Sequence, residues 1–301
     1  MTISLDESYA WCQALSRRTA GNFYPSFLSL PADRYRDMCA IYAFMRVSDD
    51  LGDDADMPIA RRSELLSDWR TSLQRALSED CYEHPAFPAL ASVVCRYEIP
   101  QEYLFAVIAG VEADLEPTGF DTFDDLAHYC YRVAGVVGLC CIHIWGFHGD
   151  EAKERAVDCG TAFQLTNILR DLGEDAQMGR VYLPREDLER FGYTADDIVG
   201  QRRNERFDRL MRFEVERARG YYRRAAQLFE NLEPPGRPIY AAMLQTYGGL
   251  LDEIERRRYD VYTRRIALPK WRKFSILLNA VVRHRFLKQG ANHGPASEAK
   301  P

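Results

Sequence analysis

Apolar residues recur along this chain at the three- and four-residue spacing of a helix face, and no comparable stretch alternates with the period of two that a half-buried strand requires. Tyr103, Leu104, Val107, Ile108 and Val111 form one such face, introduced by Pro100 at a position that favours the first turn of a helix. Glycines and prolines fall mostly between these stretches, near Pro31, Pro58, Pro85 to Pro88, Pro117 to Gly119, Gly146 to Gly149, Gly179 to Pro184 and Pro234 to Pro238. The punctuation predicts roughly eight to ten helices joined by short connections. No Ser- or Pro-rich linker separates two halves, so the economical reading is all-α: a single-domain helical bundle over residues 1–289. Residues 290–301, GANHGPASEAKP, are small and polar and are expected to form a disordered C-terminal tail.

A chain of 301 residues, 47% hydrophobic and 28% charged, can fill such a bundle with a core. Its net charge of −6 argues against nucleic acid as a partner, because that affinity comes from a basic surface that displaces counterions. The charge is uneven, however: Arg256 to Lys288 carries eleven Lys or Arg residues and one acid, Asp260. With Trp271, Phe274, Ile276 and Leu277 this segment suits peripheral contact with an anionic membrane surface; service to an anionic ligand or to solvent explains it equally well. The eight cysteines contain no C-x-x-C pair and read as small hydrophobes in a reducing compartment. MTISLDESYAW has neither the basic start nor the apolar run of a signal peptide. Val133 to Phe147 is the most apolar stretch, but it is short for a membrane span and is expected to be a buried helix. A cytoplasmic protein, at most peripheral at the inner membrane surface, is the expectation.

Two acidic clusters break the helical pattern. In the first, Tyr42, Arg46, Asp49 and Asp53 fall at i, i+4, i+7 and i+11, within a run that also holds Asp50, Asp54 and Asp56. In the second, AFQLTNILRDLGED, the residues Gln164, Asn167, Asp171 and Asp175 fall at i, i+3, i+7 and i+11 beside the apolar Phe163, Leu165, Ile168 and Leu169. A solvated acidic helix end would explain the first cluster alone. Two nearly identical ladders are harder to dismiss, since like charges one turn apart cost about 0.2–0.5 kcal/mol per pair. Carboxylates facing one another across a bundle need cations between them. Hard oxygen donors with no histidine or thiolate point to magnesium, which binds through few carboxylates together with substrate phosphates. Arg46 and Arg170 stand close enough in sequence to meet phosphate oxygens or to hold the carboxylates.

At these residues the chain resembles the squalene and phytoene synthase family, the trans-isoprenoid synthases that work head to head. The resemblance runs from about Ser16 to Phe286 and rests on AIYAFMRVSDD with Asp53, on YCYRVAGVVG, on AFQLTNILRDLGED with GRVYLP, and on YDVYTRR. It implies a trans-isoprenoid synthase bundle with a central cavity, a prenyltransferase of isoprenoid biosynthesis, hopanoid or carotenoid. It further implies that Asp49, Asp53, Asp171 and Asp175 ligate several magnesium ions with Asn167 assisting, and that Arg46, Arg170, Arg180 and Arg264 lie near the diphosphates. Tyr42, Tyr129, Gln164 and Tyr247 match positions lining the reacting centre. Phe23 and Phe27 match aromatic positions near the entrance and the first prenyl chain. Without the resemblance, a Tyr or Phe on an apolar helix face is as readily core.

Other signals are weaker. The six histidines include no H-E-x-x-H, and there is no Walker loop and no G-x-G-x-x-G, so NADPH is left open without support. A non-catalytic assembly protein of the same fold would be marked by a lost metal aspartate, and none is lost. A terpene cyclase would replace NILRDLGED. Within the family, phytoene synthases commonly carry Arg-Arg-Thr-Asp-Glu where this chain has Arg46, Val47, Ser48, Asp49 and Asp50. That departure favours farnesyl over geranylgeranyl diphosphate. The expected reaction is therefore head-to-head condensation of two farnesyl diphosphates to presqualene diphosphate and onward to squalene or dehydrosqualene, with phytoene formation as the alternative.

Overall fold

The computed structural model describes residues 3–276 except 22, 55, 116–118, 270, 273 and 274. The tail expected at 290–301, together with Phe274 and Leu277 of the basic segment, lies outside the described residues. In chain order the helices are α1 (Leu5–Thr19), α2 (Tyr24–Phe27), α3 (Ala32–Asp53), α4 (Ile59–Ser78), α5 (Phe87–Arg96), α6 (Gln101–Ala113) and α7 (Phe123–Cys130). A π-helical turn, Tyr131–Gly135, leads into α8 (Val136–Trp145). Then follow α9 (Glu151–Gln177), α10 (Arg185–Phe191), α11 (Ala195–Val199), α12 (Glu205–Ala225), α13 (Leu228–Asn231) and α14 (Arg237–Arg256). The described residues contain no strand, only a single backbone bridge between Phe147 and Leu232.

The all-α expectation holds, but the described residues form more helices than eight to ten. The additions are α2, α10, α11 and α13, each too short for a periodic apolar face to appear in sequence. Local chemistry sets the boundaries. Ser4 with Glu7, Thr122 with Asp125, and Thr194 with Asp197 close reciprocal capping boxes on α1, α7 and α11. Pro31, Pro58, Pro100 and Pro184 stand immediately before α3, α4, α6 and α10, one residue earlier than the first-turn position read from sequence for Pro100.

Two apolar clusters make the core, one centred on α1, α3, α5, α6 and α8, the other on α9, α12 and α14. In the first, buried Asp37 of α3 accepts hydrogen bonds from Tyr9 of α1, Arg96 of α5 and Tyr97, each at 2.8 Å. A buried carboxylate so satisfied locks three helices in register. Between the clusters α9 runs hard against the π-helical turn and α8. A Cβ on Gly160 would stand 2.3 Å from the Ala134 carbonyl oxygen, and one on Gly138 would stand 2.7 Å from that of Ala156. Only hydrogen fits there, so α9 is held close along the wall where the site forms. The run Phe123–Trp145 is long and apolar enough to cross a bilayer, but half of its apolar window is buried inside the bundle, as expected for Val133 to Phe147.

Candidate active site

An apolar cavity lies between α3, α8, α9 and α14. Its upper end is polar: Tyr42 and Asp49 from α3, Gln164 and Asn167 from α9, and Tyr247 from α14. Its walls are Met38, Ile41 and Met45, Val133 to Gly138, Gly160 and Met243, with Trp145, Leu228 and Tyr240 at the far end. The free volume is about 280 Å³. Three methionines in the lining give walls that can yield to a flexible chain. A larger polar cleft of about 590 Å³ opens beside Tyr129 and Tyr182, but it is lined by Asp121, His128 and Arg132 and by no carboxylate of either ladder.

Aromatic rings wall the polar end. Phe23 stacks on Tyr247 at 5.3 Å between ring centres, and Phe163 stacks on the same Tyr247 at 4.3 Å. Phe27 meets Tyr42 edge to face at 5.9 Å. Phe23 and Phe27 thus share the cavity with the predicted Tyr42, Gln164 and Tyr247. Tyr129 does not line it; its hydroxyl donates to Asp114 at 2.8 Å, and its ring stacks on Tyr182 at 5.5 Å.

Arg180 stands between the ladders at the mouth: its Nη1 lies 3.7 Å from Asp53, its Nη2 donates to the Asp114 carbonyl at 3.4 Å, and its backbone N–H donates to the Asp175 carbonyl at 2.9 Å. Arg46 pairs with Asp50 rather than with the ladder aspartates. Arg170 grips its neighbour Asp171 through both arms, its Nε donating at 2.8 Å. Arg264, expected near the diphosphates, offers only its backbone carbonyl to Arg257. The next residue, Arg265, reaches the second ladder instead, 3.5 Å from Asp171 and 3.7 Å from Glu174. The pattern YTRR announced a basic pair, and both members are exposed, with Arg265 the one that contacts the ladder.

Asp114 and Tyr182 are site residues that the sequence reading missed. Asp114 caps the end of α6 and accepts from both Tyr129 and Tyr182, the latter at 3.2 Å. Burial raises its pKa above the usual carboxylate value, with the Asp53 charge adding to this and the two tyrosine hydrogen bonds and Arg180 opposing it, and its own charge is felt by Asp49 and Asp175. A lone aspartate after an apolar helix carries no spacing signal, which is why only the folded arrangement reveals it.

Burial also pushes Asp49 up to about 7, with repulsion from Asp53 adding to it, and Asp175 up to about 7, with Asp171 adding to it. Asp49 is exposed and lines the polar end of the cavity, so a ligand can reach it, while the protein around it disfavours its charge. Among the described residues neither Asp49 nor Asp175 has an ion-pair partner, and the Asn167 Oδ1 is buried without a hydrogen-bond donor. An orphaned carbonyl oxygen beside uncompensated carboxylates is a donor set that fits a hard divalent cation. No three acidic, His or Cys side chains among the described residues converge closely enough to hold a metal unaided.

Comparison with known proteins agrees with this geometry. A family model described as squalene/phytoene synthase matches residues 16–272. A phytoene synthase of Arthrospira platensis is 37% identical over 295 residues, covering 93% of this chain and 94% of the relative. A 15-cis-phytoene synthase of Synechococcus elongatus is 34% identical over 295 residues, with the same coverage of 93% and 94%. Among solved structures, a dehydrosqualene synthase in complex with a ligand superposes with a TM-score of 0.83 at 27% identity, covering 95% of this chain and 98% of that one. The squalene synthase HpnC of Alicyclobacillus acidocaldarius gives 0.79 at 29% identity, covering 86% and 97%.

Proposed function

Because the chain belongs to the squalene/phytoene synthase family, whose prenyltransferases join two prenyl diphosphates head to head, we propose that it condenses two geranylgeranyl diphosphates to phytoene, releasing diphosphate. The observation that carries this choice of chain length is the reach of the apolar cavity. From Asn167 to Ala156 along α9, and from Asp49 to Met38 along α3, the lining extends about 16 Å at 1.5 Å per residue. Trp145 lies two helical turns beyond Gly138, which itself abuts Ala156. A chain advancing about 1.2 Å per bond, one third of the roughly 3.6 Å spanned by each three-bond backbone residue, needs about 13 Å for a farnesyl and about 18 Å for a geranylgeranyl group. The run to Ala156 already exceeds the farnesyl length, and the further stretch toward Trp145 leaves room for the longer chain. The phytoene synthase names of the sequence relatives support the same reading.

Asp49, Asp53, Asn167, Asp171 and Asp175 would hold magnesium ions, which supply the positive charge that stabilises a departing diphosphate. Arg46, Arg170, Arg180 and Arg265, which lie against Asp50, Asp171 and Asp53, would hold the diphosphate oxygens. Phe23, Phe163 and Tyr247 close the polar end against water and offer ring faces to an allylic cation, each worth about 0.5–2 kcal/mol. Asp114 fixes the Tyr129 hydroxyl beside the ladders. No side-chain nucleophile is needed.

A second reading, condensation of farnesyl diphosphate to presqualene diphosphate and onward to dehydrosqualene or squalene, is favoured by Arg46-Val47-Ser48-Asp49-Asp50 and by the names of the two structural neighbours. The test supplies purified protein and magnesium with each prenyl diphosphate, with and without NADPH, and identifies products by mass spectrometry. Phytoene from geranylgeranyl diphosphate without reductant is the expected outcome. Turnover of farnesyl diphosphate alone would overturn the proposal in favour of the second reading.

A further inference from the structure

The far end of the cavity is built more rigidly than its walls. Trp145 is the last residue of α8, only 3% exposed, and it lines the cavity with Leu228 and Tyr240. Its ring meets that of Tyr240 at 6.2 Å between centres and 55° between planes. Its backbone is clamped as well. The Trp145 carbonyl accepts from Arg34, whose other arm pairs with Glu233 at 3.1 Å. Gly146 follows with φ +82°, a conformation that lets the chain turn sharply out of α8, and Glu233 N–H donates back to the Gly146 carbonyl at 2.9 Å. On the opposite side Gly236 admits the tryptophan: a Cβ there would stand 2.6 Å from the Trp145 Cβ and 3.2 Å from its oxygen.

We infer that Trp145 closes the prenyl tunnel and sets the longest chain the enzyme accepts. This rests on the reading of the cavity as a prenyl tunnel with its charged end at Asp49 and Asn167. The axial positions support it. Running down α9 from Asn167 to Ala156 and down α8 from Ala134 through Gly138 leads away from the ladders, and Trp145 is the last lining residue in that direction. The side walls offer Met38, Met45 and Met243, which can shift rotamer around a guest, whereas Trp145 is held by Arg34, Gly146 and Gly236 at the backbone and by Tyr240 at the ring. A compliant wall cannot measure length; a fixed floor can. The indole N–H offers a further clue, since it is buried with no acceptor. Such a donor is a liability to the fold that phenylalanine would not carry, so the indole's extent in the tunnel is what distinguishes the two.

The test compares wild type with Trp145→Phe and Trp145→Ala, using farnesyl, geranylgeranyl and geranylfarnesyl diphosphates separately and in competition. kcat/KM is measured for each, with products identified by mass spectrometry and folding checked by circular dichroism. Relative to the wild type's own preferred chain, the next longer isoprenologue is expected to gain about tenfold or more in Trp145→Ala, the discrimination that one or two methylenes command. Trp145→Phe should give a smaller gain of the same sign, and discrimination against shorter chains should be unchanged. Should the alanine variant fail to fold, the phenylalanine variant decides. Folded variants with the wild-type ratio overturn the inference, as does equal loss of activity on all chains. A wild-type preference for farnesyl diphosphate would overturn the geranylgeranyl reading but leave this inference standing, provided the variants move acceptance one isoprene unit upward from there.

Discussion

The two aspartate ladders share their spacing and differ in how the protein supports them. On α9, Asp171 is gripped by Arg170 and approached by Arg265, and it is only 17% exposed. On α3, Arg46 turns to Asp50, Asp49 has no ion-pair partner among the described residues, and Asp53 is 67% exposed with Arg180 alone at 3.7 Å. The α9 ladder is partly neutralised by the protein itself. Both ladders stand at the C-terminal ends of their helices, where the macrodipole disfavours negative charge. Asp171 thus rests on arginines that Asp49 lacks.

The sharpest way to break this comparison is to remove carboxylates. Asp53→Asn and Asp175→Asn are expected to lower product formation by about three orders of magnitude, because each leaves developing charge on diphosphate uncompensated. Product assays by mass spectrometry in magnesium and in chelator check this. Activity that survives either the substitutions or the chelator would end the magnesium reading.

Stability should separate the ladders by sign. Asp49→Asn removes a charge that the protein around it disfavours, so the metal-free protein should melt at the same or a higher temperature. Asp171→Asn strips the half-buried Arg170 of its bidentate partner and should cost about 1–3 kcal/mol. The sequence pattern alone, which treats both as relieved repulsion, predicts no such reversal. Thermal unfolding of both variants in chelator decides between them; equal shifts would mean that Arg170 does not support its ladder.

A smaller effect should distinguish the adjacent arginines. Arg265→Ala is expected to lower kcat/KM about tenfold, chiefly through KM, while Arg264→Ala should change it less than twofold, in line with the strength of charge-assisted contacts. Steady-state kinetics with the preferred diphosphate measures both. The opposite order would restore the assignment read from sequence.

Much of this was legible before folding because helical faces and metal ladders are local patterns. Tyr42 and Asp49, seven apart on α3, and Gln164 and Asn167, three apart on α9, line one cavity, as helical spacing on each element allows. Arg264 and Arg265 are harder to read, because YDVYTRR leaves the helix after Arg256, and outside a helix sequence spacing does not fix which side chain reaches the ladder. Asp114 and Trp145 were illegible for a related reason. Each ends a helix, and its partners arrive from distant elements, Tyr182 in one case and Gly236 in the other. The short helices α2 and α13 likewise take their shape from neighbours rather than from periodicity.

The last prediction isolates the ladders' pH dependence from that of the fold. Away from the site, Arg217 of α12 donates to two buried acids, Glu214 at 2.7 Å and Asp187 of α10 at 2.7 Å. One guanidinium cannot neutralise two carboxylates, so a buried negative charge is left over unless a proton joins the group. Burial accordingly pushes Glu214 up to about 8, against the opposing pull of Arg217. The sign follows from linkage: a carboxyl whose folded pKa lies above its unfolded value favours the protonated fold, so the penalty is absent below about pH 4.5, grows through the window and is complete above about pH 8. Asp49 and Asp175 act in the same direction between about 4 and 7 in metal-free protein. Glu214→Gln keeps an acceptor for Arg217 and removes the titration. Between pH 5.5 and 8.5 the melting temperature of this variant should therefore fall by several degrees less than that of the wild type, at roughly 2–4 °C per kcal/mol. Magnesium with inorganic diphosphate should flatten the ladder contribution in both proteins and leave the difference between them intact. If that difference vanished with the ligands, the pH response would belong to the ladders alone, and Glu214 would already be ionised in the fold.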